Sequence, residues 1–227
     1  MKAFRRYYFS VATFLLLALT VGAFSDNLFT NPGQPSNSDP KFIIHGLLCG
    51  AWMMLLFVQT GLISAGNVRL HRTLGIAGIG IAIGVTLTTV WLFVAGWKGW
   101  AAMNPEVKAN RFLLPSYSLF VALAFINRKR PVRHKRLMFT GTLFMLDPVL
   151  ARLYDPFMVP FFMTGWTELQ IENAFQPWFF STWLAFFASL IGYDAVTLRR
   201  VHPITLAASC WFAIVWLIAF FTGGPSW

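Results

Sequence analysis

The sequence predicts an all-α integral membrane protein: one polytopic bundle of seven transmembrane helices filling a single domain over 1–227, N-terminus inside and C-terminus outside. Three observations predict it. The chain is 57% hydrophobic and only 11% charged, where soluble domains carry about 25% charged residues. It contains seven apolar stretches near the length needed to cross a bilayer, at 8–24, 42–64, 73–97, 112–126, 137–159, 178–198 and 204–222. Its Lys and Arg residues alternate in density from one inter-helix segment to the next. With the N-terminus inside, 13 of the 18 fall in inner segments, four in outer segments and one, Arg152, within a span. Cytoplasmic loops are enriched in Lys and Arg, and losing one helix would spoil this alternation.

The first stretch follows Lys2, Arg5 and Arg6 and has small residues near Gly22 and Ala23. That layout resembles a signal peptide, expected here as an uncleaved signal-anchor helix. An outer loop at 25–41, rich in Asn, Pro, Ser and Asp, leads to the second stretch. On that helix His45, Cys49, Trp52 and Gln59 lie within about 80° of one another, a polar face that should meet protein. The third stretch carries Ala77, Gly80, Gly84 and Thr88, a small-residue seam for close helix packing. The fourth is the shortest. The fifth holds Asp147, Arg152 and Asp155 among apolar residues, beside Pro148, Pro156 and Pro160. Each proline removes a donor and clashes with the carbonyl one turn earlier, so this helix should kink or unwind. In the outer loop at 165–177, Glu168 and Glu172 fit one face of a short interfacial helix.

Composition and motifs also exclude. The net charge of +10 sits in short juxtamembrane clusters, which suit anionic lipid heads rather than nucleic acid. Cys49 and Cys210 lie in apolar runs, so neither a disulfide framework nor a metal site is expected. Hydrolase signatures are missing, and the seventh stretch has no lysine for a retinal Schiff base.

The residues that remain carry the chemistry. Ionised groups inside a bilayer cost several kcal/mol and mark functional or pairing sites. Asp147, Arg152 and Asp155 are therefore the candidate internal polar site. Arg152 and Asp155 are three residues apart and able to pair, and Asp147 is expected about 15 Å in from the inner end of its helix, near the midplane. His45, His71, His134 and Gln59 are the candidate cofactor-binding residues. A haem between helices takes two axial ligands at one depth. His71 with His134 is the inner pair. His45, at the outer side, would need Met158 or Met163, unless it is simply hydrogen-bonded within the bundle.

One local pattern, His45, Trp52, Gln59, then His71-Arg72 with Gly75, resembles a broad group of mostly uncharacterised bacterial multi-pass inner-membrane proteins over about 40–155. The resemblance carries no settled activity. It implies that the histidines and the fifth helix act together. The expectation is a bacterial inner-membrane redox-associated protein binding haem b or a quinone. The alternatives are a proton-coupled small-solute carrier with Asp147 as its titrating group, and a non-catalytic subunit of a larger membrane complex. Membrane lipids, and in the last case partner subunits, are the expected partners.

Overall fold

Helix boundaries follow local capping chemistry. The computed structural model describes residues 2–31 and 33–222, and among these nine α-helices and no strand appear. α1 spans Lys2–Ala23. α2 spans Pro40–Ser64, with Asp39 accepting from the Lys41 amide. α3 spans Val68–Ala95 and is capped by Asn67. α4 spans Pro105–Ile126 behind an Asn104 cap. α5 (Pro131–Leu143) and α6 (Asp147–Leu153) follow, then a π-helical turn at Tyr154–Met158 and a short α7 (Val159–Phe162). α8 runs over Glu168–Leu198 from a Thr167–Gln170 capping box. α9 spans Pro203–Phe221 with His202 as its cap. Capping oxygens satisfy amides that have no helical partner, and proline in the first turn loses no bond.

Six of these helices are long and apolar enough to cross a membrane, and the broken pair α5 and α6–α7, bent by 48°, makes a seventh. The bend has a clear cause. Pro148 cannot donate to the Phe144 carbonyl. The chain tightens there: the amides of Phe144, Met145 and Leu146 donate to the carbonyls three residues back, Gly141, Thr142 and Leu143. Pro156 and Pro160 fall in and just after the π turn.

Several helices begin earlier than the sequence expectation, and three of these differences bear on the site. The fourth span begins at Pro105 rather than 112, so Glu106, Lys108 and Arg111 lie inside a helix and not in a loop. The fifth starts at Pro131. The region 165–177 is no separate interfacial helix. From Glu168 onward it forms the first turns of α8, which continues through Pro177. The Tyr154 hydroxyl, donating to the Ile171 carbonyl, ties those turns to the π turn.

The core gathers aromatic and branched side chains from α4, α5, α6, α8 and α9, including Trp183, Phe179, Phe187, Phe212 and Trp216. The Trp183 indole donates to the Leu143 carbonyl at 2.9 Å, at the point where α5 ends. Two close approaches depend on glycine. A Cβ on Gly141 would sit 2.9 Å from the Phe120 Cβ on α4, and one on Gly78 would sit 2.9 Å from Leu55 Cδ2 on α2. On α3 the packing stripe is Gly78, Ala82, Val85 and Thr89, all buried. Ala77 and Gly80 of the expected seam face outward, and a Cβ on Gly80 would meet nothing within 4 Å. The other half of the seam packs as expected, with Thr88 and Gly84 facing His45 and Leu48 of α2.

The basic clusters at 2–6, 69–72, 128–136 and 199–200 all sit at one end of the bundle, here called the basic end. Side-chain bonds tie this end together. Arg6 Nε donates to the Ser64 carbonyl at 2.6 Å, and the Ser10 and Ser64 hydroxyls are 2.6 Å apart. Arg136 and Asp194, both fully buried, form an ion pair between α5 and α8. Asp194 also accepts from Thr205 Oγ1 at 2.6 Å and from the His202 amide at 3.0 Å, so one carboxylate joins α5, α8 and α9.

Candidate functional site

The polar site lies towards the opposite end, where α4 meets the break between α5 and α6. On α4, Glu106 and Asn110 are four residues apart and share a face. Asp147, the first residue of α6, comes against that face. Glu106 and the Asn110 side chain are the polar groups that act on it. Asp147 is 2% exposed and Glu106 8%. One oxygen of each of the three side chains, Glu106 Oε2, Asn110 Oδ1 and Asp147 Oδ2, is buried with no hydrogen-bond partner among the described residues. Buried polar atoms are ordinarily paired, so three orphans together mark a place for water or a ligand.

The cations nearby do not fill that place. Lys108 lies about 200° round α4 from Glu106, fully buried, with its ammonium 3.4 Å from the Thr222 carbonyl at the end of α9. Arg111 donates to the Phe93 carbonyl at 2.6 Å in the last turn of α3 and lies over the Phe93 ring. Both cations sit at helix C-termini, whose free carbonyls and dipole favour positive charge. They are committed there, and the two carboxyls are left to each other.

Of the expected internal polar site, only Asp147 is internal. Arg152 is exposed, donates to Asn27 Oδ1 at 2.8 Å and covers the Phe24 ring. Asp155 is exposed in the π turn. The spacing that would pair Arg152 with Asp155 holds for a straight α-helix, and here the residues straddle the α6–π junction. Asp147 itself stands level with the first turns of α4, because the fifth span begins six residues earlier than expected.

Inward of the carboxyls is a second polar layer. Tyr117 is two turns from Asn110 on the same face of α4, and helical side chains tilt towards the N-terminus, so its hydroxyl points back to that level. The residue is 1% exposed and its hydroxyl has no partner among the described residues. Its ring stands edge-on to Trp52, 5.2 Å between centroids, and the Trp52 indole donates to Thr142 at 3.2 Å. His45 contacts Thr88 Oγ1 at 3.0 Å through Nδ1 and Cys49 Sγ at 3.5 Å through Nε2. Both ring nitrogens are occupied, so the structure shows His45 as a hydrogen-bonded core histidine.

The other candidate ligands do come together. His71 on α3 and His134 on α5 stand edge-on with ring centroids 6.2 Å apart. His134 Nδ1 is 2.9 Å from the Ala124 carbonyl, which leaves Nε2 as that ring's acceptor. His71 Nδ1 and Gln59 Oε1 are buried without partners among the described residues, and the His71 ring lies by the Gln59 backbone. His202 takes no part. In the loop before α9 its Nδ1 accepts from the Ile204 amide at 3.1 Å. Burial, with Arg136, Arg133 and Arg200 nearby, holds its pKa below the usual value. In the 25–41 loop, the Gln34 amide donating to Asp26 holds that carboxyl below its ordinary range.

Four residues of weight escaped the sequence reading: Glu106, Asn110, Tyr117 and Asp194. Asp194 had a readable signal, as an acidic residue within an apolar stretch. Glu106 and Asn110 had none once the fourth span was begun at 112. No protein-family model, no curated protein and no solved structure matches this chain. The class of protein that fold and composition define is a multi-pass helical membrane protein.

Proposed function

We propose that this protein is a proton-coupled carrier of a small solute in the bacterial inner membrane. Asp147 is its titrating group, and Glu106 and Asn110 complete the site. The observation that supports it is the buried carboxyl pair at the broken helix, each with one oxygen left without a hydrogen-bond partner among the described residues. Two carboxylates in a dry site need a proton, a cation or water to compensate them, and broken helices are a recurrent way to build transport sites. The basic end faces the cytoplasm in this reading, where it contacts anionic lipid heads.

The test is proton binding at Asp147. Infrared difference spectra between two pH values should show a carboxyl band that Asp147→Asn removes. The same variant should abolish solute-driven pH change in dye-loaded proteoliposomes. A carboxyl band untouched by both Asp147→Asn and Glu106→Gln would sink the reading.

A second reading is a redox-associated protein binding haem b or quinone, and the His71–His134 pair supports it. Metal–imidazole bonds are about 2.0–2.1 Å, so two rings on one ion stand with centroids about 6 Å apart, close to the separation seen here. Gln59, with its unpartnered oxygen, would serve a quinone head group equally. A reduced-minus-oxidised visible spectrum of the purified protein decides the haem version. Stoichiometric haem bands lost in His71→Ala and His134→Ala support it, and a haem-free spectrum excludes it.

A further inference from the structure

We infer that Glu106, Asn110 and Asp147 form a binding site for a small monovalent cation that exchanges with a proton. The inference deepens the carrier reading and rests on it.

The three atoms left without partners are all acceptors: two carboxyl oxygens and an amide carbonyl oxygen. The complement of a doubly acidic site is a cation or a charged N–H donor. Among the described residues no ion pair reaches these carboxyls. Lys108 and Arg111 are held at the ends of α9 and α3. Arg152 is bonded to Asn27, and Arg136 to Asp194 at the basic end.

Pro148 has no amide hydrogen, so the Phe144 carbonyl has lost its helical donor. Helix C-terminal ends and unwound carbonyls are where cations and protons bind in broken-helix carriers. Asp147 follows that break directly.

Charge decides the valence. One carboxyl protonated and one ionised leaves a single negative charge, which a monovalent cation neutralises. Replacing that cation by a second proton leaves the buried charge unchanged. Exchange of one for the other therefore costs no net charge in a low-dielectric site, and it couples cation flow to proton flow.

The surroundings of Asp147 do not compete. α1, packed along α6, has no titratable side chain between Ser10 and Ala23. On α2, His45 and Cys49 contact each other. In the π turn Tyr154 is bonded to Ile171 and Asp155 is exposed. Glu106 is the titratable group that acts on Asp147.

The test is thermal unfolding of the purified protein in mild detergent at fixed pH and ionic strength. Choline chloride, a bulky quaternary ammonium with no N–H to donate, is replaced stepwise by sodium chloride or by methylammonium chloride. A saturable rise in Tm with either salt supports the inference, and the two arms tell a metal ion from an amine. Asp147→Asn should abolish the rise. Glu106→Gln, a milder change, should raise the half-saturating concentration by about 10- to 100-fold. Equal Tm values in all three salts overturn the inference, as does a response to calcium alone or a rise that survives both substitutions. If the Tm is salt-independent while the Asp147 carboxyl band persists, the cation site falls and the proton-carrier reading stands. If the band is also missing, both fall.

Discussion

Asp194→Ala should be among the most damaging single changes in the protein. Asp194 accepts from Arg136 Nε at 2.8 Å and from Nη2, from Thr205 Oγ1 at 2.6 Å and from the His202 amide at 3.0 Å. Both members of the ion pair are fully buried. Removing the carboxylate strands a guanidinium that has no other acidic partner among the described ion pairs. Breaking a buried pair from one side costs about 3–5 kcal/mol. For a chain of this size that is a fall in Tm of about 6–20 °C. Arg136→Ala should cost less, because the remaining carboxylate keeps Thr205 and the His202 amide as donors. The double variant Arg136→Met/Asp194→Leu should recover much of the loss, since well-packed apolar replacements of buried pairs are often neutral or better. Thermal unfolding in detergent across wild type, both alanine singles and their double gives the coupling energy, expected at about 1–3 kcal/mol. If the alanine effects add within about 0.5 kcal/mol, the pair is not coupled. The account of one carboxylate joining α5, α8 and α9 then fails.

Other outcomes follow from single contacts. Trp183→Phe keeps the ring in the core but removes the N–H to Leu143, and should lower stability by about 1–3 kcal/mol in the same unfolding assay. Gly141→Ala drives a methyl into Phe120 and should cost about 1–3 kcal/mol by overpacking, whereas Gly80→Ala, with open space around it, should be neutral or slightly stabilising; equal effects at the two glycines would refute the packing described. His202 has a folded pKa below its unfolded value of 6.5, so its contribution is complete above pH 6.5 and is lost as pH falls from there through the folded pKa. His202→Asn puts a capping oxygen in place of the ring nitrogen and should flatten the pH dependence of Tm just below pH 6.5, a flattening that unfolding scans at stepped pH would show. Asp26 works in a lower window: its folded pKa is depressed below 3.8, so its contribution is present above pH 3.8 and disappears in more acid solution. Asp26→Asn should remove that acid-limb loss from the same scans.

The cation test and the haem spectrum divide the functional readings between two ends of the molecule. The carboxyl site lies by the first turns of α4, and the His71–His134 pair lies at the basic end. A result at one site leaves the other reading untouched, so both can be measured on one preparation.

What the sequence by itself determined is the class of object. Hydropathy is a sum over neighbouring residues, so the all-α bundle and its six long apolar spans were legible, as was the break in the fifth stretch, whose two pieces make a seventh span if they cross together. The basic clusters also announced which ends of the helices lie together. The His71–His134 meeting was readable for the same reason, since both residues start helices at one end. Tertiary structure alone decided the partners of the buried charges. Arg152 looked internal because its neighbours are apolar, yet it reaches out to Asn27 across the mouth of α1. Glu106 looked like a loop residue because an acid in an apolar window lowers the hydropathy sum, yet it enters the helix beside two cations that cap other helices. Arg136 read as one more topogenic basic residue until Asp194 was placed 58 positions away against it. Charge pairing acts over a few ångströms in space and is blind to distance along the chain, and that is why only the folded bundle could show which acids remained unpaired.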